Sequence, residues 1–241
     1  MAVLSTLLQF SIALLASTIV SAIPVEPRGV IGHDDVAGFP QTIPGGTTGA
    51  VYRAYQPFLK VNNGCVPFPA VNSKGDTSGG LKPSGLSNGG CSKSTGQVYV
   101  RQGGANGRTA LMYSWYFPKD SPSTELGHRH DWESVVVWLS SSTATNKENI
   151  LAVCPSAHGG FTCAKSGYNL SGTSPLIKYE SVWPVNHALG LSTVRGGQQP
   201  LVAWDSLPAA ARTSLNNANF GDANVPFKDS NFNSNLGKAN F

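Results

Sequence analysis

Short runs of apolar, β-branched and aromatic residues alternate with turn-forming residues through most of the chain. Those with the length of strands are QVYVRQ (97–102), TALMYSWYFP (109–118), WESVVVWLS (132–140), NILAVC (149–154) and LIKYESVW (176–183). Gly, Pro, Asn and Ser separate these runs. Spaced short strands with turn signals between them are typical of a β-sandwich or a related all-β domain. The pattern therefore predicts an all-β dominated fold.

The C-terminal part of the chain departs from this pattern. Asp205 or Ser206 is predicted to cap a helix that has Pro208 in its first turn and continues through AAARTSL. The tail GDANVPFKDSNFNSNLGKANF is polar, with regularly placed Phe residues. We expect it to form a loop and an edge strand packed by Phe227 and Phe232. Helices should therefore be few and peripheral.

The first 22 residues, MAVLSTLLQFSIALLASTIVSA, contain no charged side chain and end in the small residues Ser21 and Ala22. This pattern predicts a secretory signal peptide cut near Ala22. A membrane anchor is the rival interpretation, because the length permits one. The small residues at the cleavage point favour the signal peptide. We expect the mature chain, residues 23–241, to be a single secreted, extracellular domain.

The distribution of charge argues against nucleic acid as a partner. The formal net charge is +4 and charged residues make up 12% of the chain. Lys and Arg are scattered, without a basic run, so nucleic acid is not a predicted partner.

An even cysteine count in a secreted chain predicts disulfides. The cysteines are Cys65, Cys91, Cys154 and Cys163, which allow three connectivities. We favour Cys65–Cys91 with Cys154–Cys163, since the first pair closes a Gly/Ser-rich loop and that closure is worth roughly 3–4 kcal/mol. Zinc is disfavoured because the chain has no CxxC spacing.

The heptapeptide GHRHDWE (127–133) concentrates ionisable groups in a weakly charged chain. If it is extended, Arg129, Asp131 and Glu133 share one face, and the two carboxylates repel each other unless a cation lies between them. Arg129 could be that cation. A divalent metal would also gather Asp120 and His128, and such an oxygen-dominated set suits Mg²⁺, Ca²⁺ or Mn²⁺ better than Zn²⁺.

Another interpretation needs no metal. Arg129 and Lys119 could form a surface ion-pair network with the acids, with His130 half-buried on the face opposite Asp131. The spacing alone leaves both interpretations open. The motif is not HExxH, so zincin chemistry is not implied, although a secreted metal-assisted hydrolase remains an alternative.

The heptapeptide and the preceding ALMYSWYFPKDSP (110–122) resemble the signature of the necrosis- and ethylene-inducing-like proteins (NLPs). The resemblance continues in AVYRAYQPFLKV (50–61), SAHGG (156–160), VWPVNHALG (182–190) and FGDANVPFKDSNF (220–232). It therefore covers nearly the whole mature chain. With its four cysteines, the chain resembles a four-cysteine subclass of this family.

The resemblance implies a β-sandwich similar to actinoporins and fungal lectins, and a secreted virulence factor that lyses plant plasma membranes, mainly in eudicots, without enzymatic turnover. It implies a receptor, the plant sphingolipid glycosyl inositol phosphoryl ceramide, bound through its sugar head with a divalent cation, Mg²⁺ or Ca²⁺. A non-toxic member that acts as a lipid- or sugar-binding protein or as an immune elicitor is the alternative.

The resemblance also implies roles for individual residues. The metal-site positions of the family fall on Asp120, His128, Asp131 and Glu133, and the lipid-sugar positions fall on Trp183 and His187. Segment 110–133 resembles the fragment that a plant leucine-rich-repeat immune receptor senses.

Overall fold

Residues 29–181 and 185–241 are described by the computed structural model. Their strands are β1 (Val30–Ile31), β2 (Phe58–Val61), β3 (Thr77–Ser78), β4 (Val98–Ala105), β5 (Arg108–Asp120), β6 (His128–Leu139), β7 (Ile150–Ala157), β8 (Gly160–Phe161), β9 (Leu170–Ser171), β10 (Ser174–Glu180), β11 (Ala188–Leu191) and β12 (Leu201–Ala203). Their α-helices are α1 (Gly46–Ala54), α2 (Ala209–Asn217) and α3 (Phe232–Lys238), with 3-10 turns at Lys147–Asn149 and Trp204–Ser206.

The strands form two main sheets. The larger has the order β12-β4-β5-β6-β7-β8 and is antiparallel except where β12 runs parallel to β4. The smaller has the order β11-β10-β2, with β9 also paired to β10. Strand β11 packs against β6 and β7, so the smaller sheet covers one face of the larger. The predicted β-sandwich is confirmed.

Strands β5 and β6 are buried along nearly their whole length. The aromatic side chains of Tyr113, Trp115, Trp132 and Trp138 belong to the core. Both faces of the β5–β6 pair are covered, which is why these runs are almost continuously apolar instead of alternating.

The helix predicted after Pro208 is present, but its predicted cap is wrong. Asp205 and Ser206 belong to the preceding 3-10 turn, and Pro208 takes the N-cap position without a side-chain cap. Pro208 suits the start of a helix because its missing N–H would have no intrahelical partner there.

The edge strand predicted for the tail is also wrong, because this segment forms α3. Phe232 and Leu236 lie four residues apart and are both buried, so one face of α3 packs on β4. Gly103 makes room for this packing, since a Cβ there would lie 2.6 Å from the Phe232 ring. The predicted burial of Phe227 and Phe232 is confirmed. Tertiary packing therefore outweighs the weak helix propensity of the Asn- and Ser-rich sequence.

Both predicted disulfides are confirmed, Cys65–Cys91 and Cys154–Cys163. The first closes the long loop before β4, and the second ties β7 to the segment after β8. The predicted signal peptide, residues 1–22, lies outside the described residues. None of the helices in the described part is long and apolar enough to cross a membrane.

Candidate functional site

A cavity of about 470 Å³ opens along the free edge of β6. The pairing of β6 with β7 begins at Val135 and Pro155, so the first half of β6 pairs only with β5. The space that β7 leaves is bordered by β6, the β7–β8 hairpin, residues 222–226 and α3. This edge holds most of the heptapeptide that the sequence singled out.

Gly127 sets the approach of the chain into β6. It has a φ of +100°, and a Cβ at this position would lie 2.1 Å from the backbone oxygen of Asp120. Only glycine avoids that contact, and Asp120 then pairs directly with His128 across the β5–β6 ladder. The loop thereby brings Asp120 and His128 to one end of the cavity.

Asp120 is held by His187, which lies just before β11 of the smaller sheet. The Nδ1 of His187 donates to Oδ1 of Asp120 at 2.6 Å, and the backbone N–H of His187 reaches both carboxylate oxygens at 3.2 and 3.1 Å. Both side chains are almost completely buried. The His187 ring lies against Gly64, where a Cβ would be 2.3 Å from Nε2.

His128 is oriented by a backbone carbonyl. Its Nδ1 lies 2.7 Å from the backbone oxygen of His130, so Nδ1 must carry the proton. The other ring nitrogen, Nε2, lies 3.8 Å from Oδ2 of Asp120. With Nδ1 protonated, the Nε2 lone pair of a neutral ring faces a carboxylate oxygen, and a cation bound between them would relieve that repulsion.

Asp131 and Glu133 lie side by side on β6, both nearly buried. Oδ2 of Asp131 accepts a hydrogen bond from the Tyr179 hydroxyl at 2.7 Å, and Glu133 accepts one from the Ser156 hydroxyl. The Tyr179 ring is stacked between Phe117, at 3.8 Å between centroids, and His187, at 4.6 Å. This aromatic stack links the two sheets and fixes the donor to Asp131.

Burial and neighbouring carboxylates raise the pKa values of Asp131 and Glu133. Burial, aided by the charge of Asp120, raises the pKa of Asp131 to about 6, against the opposing hydrogen bond from Tyr179. Burial and then the charge of Asp131 raise the pKa of Glu133 well above its usual range. The protein alone therefore compensates these acids poorly, and a bound cation would relieve the repulsion.

The predicted ion-pair network of Arg129, Lys119 and the acids is absent from the described residues. Nη1 of Arg129 donates to the Gly79 and Gly80 carbonyls at 2.6 and 3.3 Å. Nζ of Lys119 is buried and donates to the carbonyls of residues 84 and 86. Neither cation neutralises the acidic cavity.

His130 gives the physical reason why Arg129 does not lie between Asp131 and Glu133. Its φ of +66° interrupts the alternation that would place the three on one face. His130 is buried against Tyr116, with Nδ1 2.7 Å from the Tyr116 hydroxyl, and burial lowers its pKa to about 4. It is a packing residue on the face away from Asp131, as expected.

The donor chemistry of the cavity fits a hard divalent cation. Carboxylate oxygens dominate, with one imidazole nitrogen directed at Asp120. Within residues 29–181 and 185–241, no three His, Cys, Asp or Glu side chains are grouped so that they could hold a metal ion directly. Contact through water is compatible with such a spread set, and Mg²⁺ commonly keeps several waters.

The structure brings five of the six predicted metal and sugar residues to one cavity: Asp120, His128, Asp131, Glu133 and His187. Trp183 lies outside the described residues. Sequence reasoning missed Tyr179 and Ser156, which hold the carboxylates from other strands. It also passed over His158, a β7–β8 turn residue with a φ of +49° that lines the cavity. The SAHGG segment was the available signal for Ser156 and His158, whereas nothing local marked Tyr179.

The protein is therefore a β-sandwich with an acidic cavity at the edge of its larger sheet. Comparisons with known proteins show the family to which it belongs. The sequence profile of the necrosis inducing protein (NPP1) family matches residues 49–239. NLP effector protein 10 of Phytophthora capsici is 48% identical over 224 residues, which is 90% of this chain and 94% of that protein. Necrosis-inducing protein NPP1 of Phytophthora nicotianae is 47% identical over 224 residues, again 90% of this chain and 94% of that protein.

Solved structures of related proteins have the same fold. "NLPPya in complex with mannosamine" has a TM-score of 0.83 and 49% identity, covering 88% of this chain and all (100%) of that one. The glucosamine complex of NLPPya has a TM-score of 0.82 at 48% identity and the same coverage. The non-toxic HaNLP3 protein has a TM-score of 0.81 at 40% identity, covering 86% of this chain and 98% of that one. The chain belongs to the necrosis-inducing protein family, and its two disulfides fit the four-cysteine subclass.

Proposed function

We propose that the chain is a secreted cytolysin that binds the sugar head of glycosyl inositol phosphoryl ceramide in eudicot plasma membranes and damages the membrane, causing necrosis and immune activation. A divalent cation, Mg²⁺ or Ca²⁺, takes part in this binding. The process needs no enzymatic turnover, and no residue is assigned a catalytic role. Membership of a family with necrosis-inducing relatives supports the proposal.

The observation that carries the proposal is the crowding of Asp120, Asp131 and Glu133 at one cavity, where no Lys or Arg of the described residues forms an ion pair with any of them. His128 and His187 contact Asp120 from either side. We propose that Asp120, His128, Asp131 and Glu133 hold the cation. When bound, the cation would supply positive charge that attracts sugar hydroxyl oxygens.

Sugar complexes of a related protein support the proposed binding of a sugar head group. NLPPya has been solved with mannosamine and with glucosamine, and it shares about half of its residues with this chain. His187 borders the cavity, and we propose that it shapes the sugar site together with Trp183. Sugars are commonly held by an aromatic face and a few fixed polar groups.

A non-toxic sugar-binding or elicitor protein is the second candidate. The structure of HaNLP3, described as non-toxic, matches this fold with a TM-score of 0.81, close to the 0.84 of a toxin structure. The fold is therefore common to toxic and non-toxic members, and the two candidates differ in whether membrane damage comes after binding.

Dye leakage from vesicles that contain plant glycosyl inositol phosphoryl ceramide tests the proposal. Leakage should require both the lipid and a divalent ion, and EDTA should abolish it. Lipid binding without leakage would favour the non-toxic candidate. No binding by the folded protein would refute the proposed receptor and turn attention to a metal-dependent hydrolase.

Substitution of one acid tests the cation site. Glu133→Gln keeps the shape of the side chain and its contact with Ser156 but removes the charge that would hold the cation. We expect leakage to be lost with the fold intact. Glu125→Gln is the matched control, because Glu125 is an exposed acid in the β5–β6 loop and does not line the cavity. Full leakage by Glu133→Gln would refute the role of Glu133.

A further inference from the structure

One short motif of the sequence takes no part in the acidic cavity. Asn169-Leu170-Ser171 is the only Asn-X-Ser/Thr sequence of the chain, and it begins one residue before β9. This sequence is the acceptor for N-linked glycosylation of proteins in the eukaryotic secretory pathway. Whether the folded chain can carry a glycan there depends on the exposure of Asn169 and on the space around it.

Asn169 is presented to solvent. It is exposed, whereas Leu170 is half-buried and packs against the hydrophobic core. Because successive side chains of an extended segment point to opposite faces, the inward packing of Leu170 directs Asn169 outward. Gly167 and Gly172 lie on either side of it along the chain, and a Cβ at either position would meet nothing within 4 Å. The surroundings of Asn169 therefore leave room for a bulky substituent.

The hydrogen bonds of Asn169 are compatible with the attachment of a sugar. The backbone oxygen of Asn169 accepts from the N–H of Leu176 at 2.9 Å, and Nδ2 donates to the Ser192 carbonyl at 3.2 Å. A side-chain amide has two N–H donors, and a glycosylated asparagine keeps one of them. The hydrogen bond to Ser192 can therefore persist when a sugar replaces the other hydrogen.

The reaction needs a co-reactant that the secretory pathway supplies, a lipid-linked oligosaccharide. Nδ2 of Asn169 forms a bond to the anomeric carbon of the oligosaccharide, and the bond between that carbon and the lipid diphosphate breaks. The lipid diphosphate leaves with the bonding electrons, and the amide loses one proton to the transferase. The hydroxyl of Ser171 completes the acceptor sequence that the transferase recognises.

Asn169 lies at the opposite end of β11 from the acidic cavity. Its hydrogen-bond partner Ser192 comes directly after β11, whereas His187, which holds Asp120, comes directly before this strand. An extended chain rises about 3.3 Å per residue, so His187 and Ser192 are separated by about 16 Å. A glycan on Asn169 would therefore begin well outside the region where the head group is proposed to bind.

We propose that Asn169 carries an N-linked glycan and that this glycan leaves the acidic cavity open, so that the glycosylated protein binds the lipid head group. The inference rests on the proposed secretion of the chain, since only a chain that enters the secretory pathway meets the transferase. It goes beyond the proposed function by assigning a covalent modification to the side of the molecule away from the lipid. The glycan keeps that side in water while the cavity faces the membrane.

Expression of the full chain in a yeast secretion host, with its own predicted signal peptide, tests the modification. We expect the secreted protein to carry added mass that peptide N-glycosidase F removes, with conversion of Asn169 to Asp in the peptide map. Asn169→Gln and Ser171→Ala should both abolish the added mass, whereas Ser171→Thr should keep it because Thr also completes the acceptor. Asn233→Gln is the matched control, because Asn233 is exposed but has no Ser or Thr two positions later.

Binding to vesicles that contain plant glycosyl inositol phosphoryl ceramide tests the placement of the glycan. The glycosylated protein and Asn169→Gln should bind within about twofold of each other, because the glycan lies away from the cavity. Pro122→Asn creates a second acceptor, residues 122–124, in the β5–β6 loop next to Asp120. A glycan there should weaken binding at least about tenfold, whereas Pro122→Gln, which creates no acceptor, should not.

The modification, its placement and the proposed function can each fail separately. A secreted protein without a glycan on Asn169 would overturn the modification and leave the proposed function intact. If Asn169→Gln bound the vesicles more than about twofold more tightly than the glycosylated protein, the proposed placement would be wrong. If no form bound the lipid, the proposed receptor would be refuted while the glycan itself would stand. A chain that stayed in the cytoplasm would overturn the proposed secretion and the modification with it.

Discussion

At the scale of single residues, Gly127 controls the geometry of the acidic cavity. We predict that Gly127→Ala reduces binding of the lipid head group at least about tenfold, because the new methyl group would collide with the Asp120 backbone and displace Asp120 and His128. Binding to vesicles that contain the lipid is the measurement.

Gly107→Ala is the control for this prediction. Gly107 lies in the β4–β5 turn with a φ of +73°, and a Cβ there would meet nothing within 4 Å. It therefore carries the backbone strain of a positive φ without the collision. If both variants bound equally well, the collision at Gly127 would not govern the site.

Tyr179 supplies a second prediction at this scale. Tyr179→Phe removes the hydroxyl that donates to Asp131 at 2.7 Å and leaves the carboxylate without that donor. We expect the free energy of unfolding to fall by about 1–3 kcal/mol, as for a lost hydrogen bond to a charged group. Chemical denaturation measures the change.

Tyr168→Phe is the matched comparison. The Tyr168 hydroxyl lies 3.4 Å from the Ile150 carbonyl, which is long for a hydrogen bond, and the side chain is only partly buried. Its removal should cost less than about 0.5 kcal/mol. Equal losses in the two variants would show that the contact with Asp131 contributes nothing special.

At the scale of elements, the disulfide Cys154–Cys163 supports the far side of the cavity. Both Sγ atoms contact the Ala239 carbonyl, at 3.4 and 3.0 Å, and Trp138 donates to the same oxygen at 2.8 Å. This packing anchors the C-terminal end of α3. This disulfide therefore supports a wall of the site, although it lies outside the site itself.

We predict that replacing both Cys154 and Cys163 by Ser increases hydrogen exchange of the α3 backbone amides, since the cross-link no longer restrains the segment beneath them. The amides of α2 serve as the internal control, because α2 does not contact this disulfide. Exchange rates measured by mass spectrometry should rise in α3 and stay constant in α2. Unchanged protection of α3 would mean that Trp138 and core packing hold the helix without the disulfide.

Local patterns predicted the parts of the fold that depend on neighbouring residues. The runs that became β4 to β7 and β10 are visible as apolar segments between turn residues, and the cysteine pairs agree with loop length. The helix α3 was not predictable in this way, because Phe232 and Leu236 acquire their role only against β4. Its alternating Phe and polar residues fitted an edge strand equally well.

The candidate site also contains residues that local sequence predicts and residues that only long-range contacts reveal. Asp120, His128, Asp131 and Glu133 are close in sequence, so one motif marks them. Tyr179 approaches from the other sheet, and its contact with Asp131 spans 48 positions. For Arg129 the sequence pattern indicated a wrong neighbour. Ideal strand alternation predicted that its side chain lies beside the acids, whereas the positive φ of His130 directs the side chain away from them. A single unusual backbone angle is enough to defeat a rule of period two.

At the scale of the whole molecule, the segment resembling the immune-receptor fragment, residues 110–133, is also the centre of the fold. It spans most of β5 and the first part of β6, where Leu111, Met112 and Trp115 are completely buried. Its central strand pairs with neighbours on both sides. A receptor that reads the β5 part of this segment as a peptide therefore cannot reach it in the folded protein.

We predict that a synthetic peptide of residues 110–133 binds the leucine-rich-repeat receptor ectodomain at least about tenfold more tightly than the intact protein, because extraction of β5 requires most of the free energy of unfolding. Surface plasmon resonance measures both affinities.

Reduced and alkylated protein is the matched control, since it has the same sequence without the two disulfides. Its affinity for the receptor should approach that of the peptide. Equal affinity of the peptide and the intact protein would mean that recognition uses an exposed part of the segment, of which the loop 121–127 is the main candidate. In that case immune recognition and sugar binding would compete for one end of the molecule, whereas a buried fragment makes them properties of two different states of the chain.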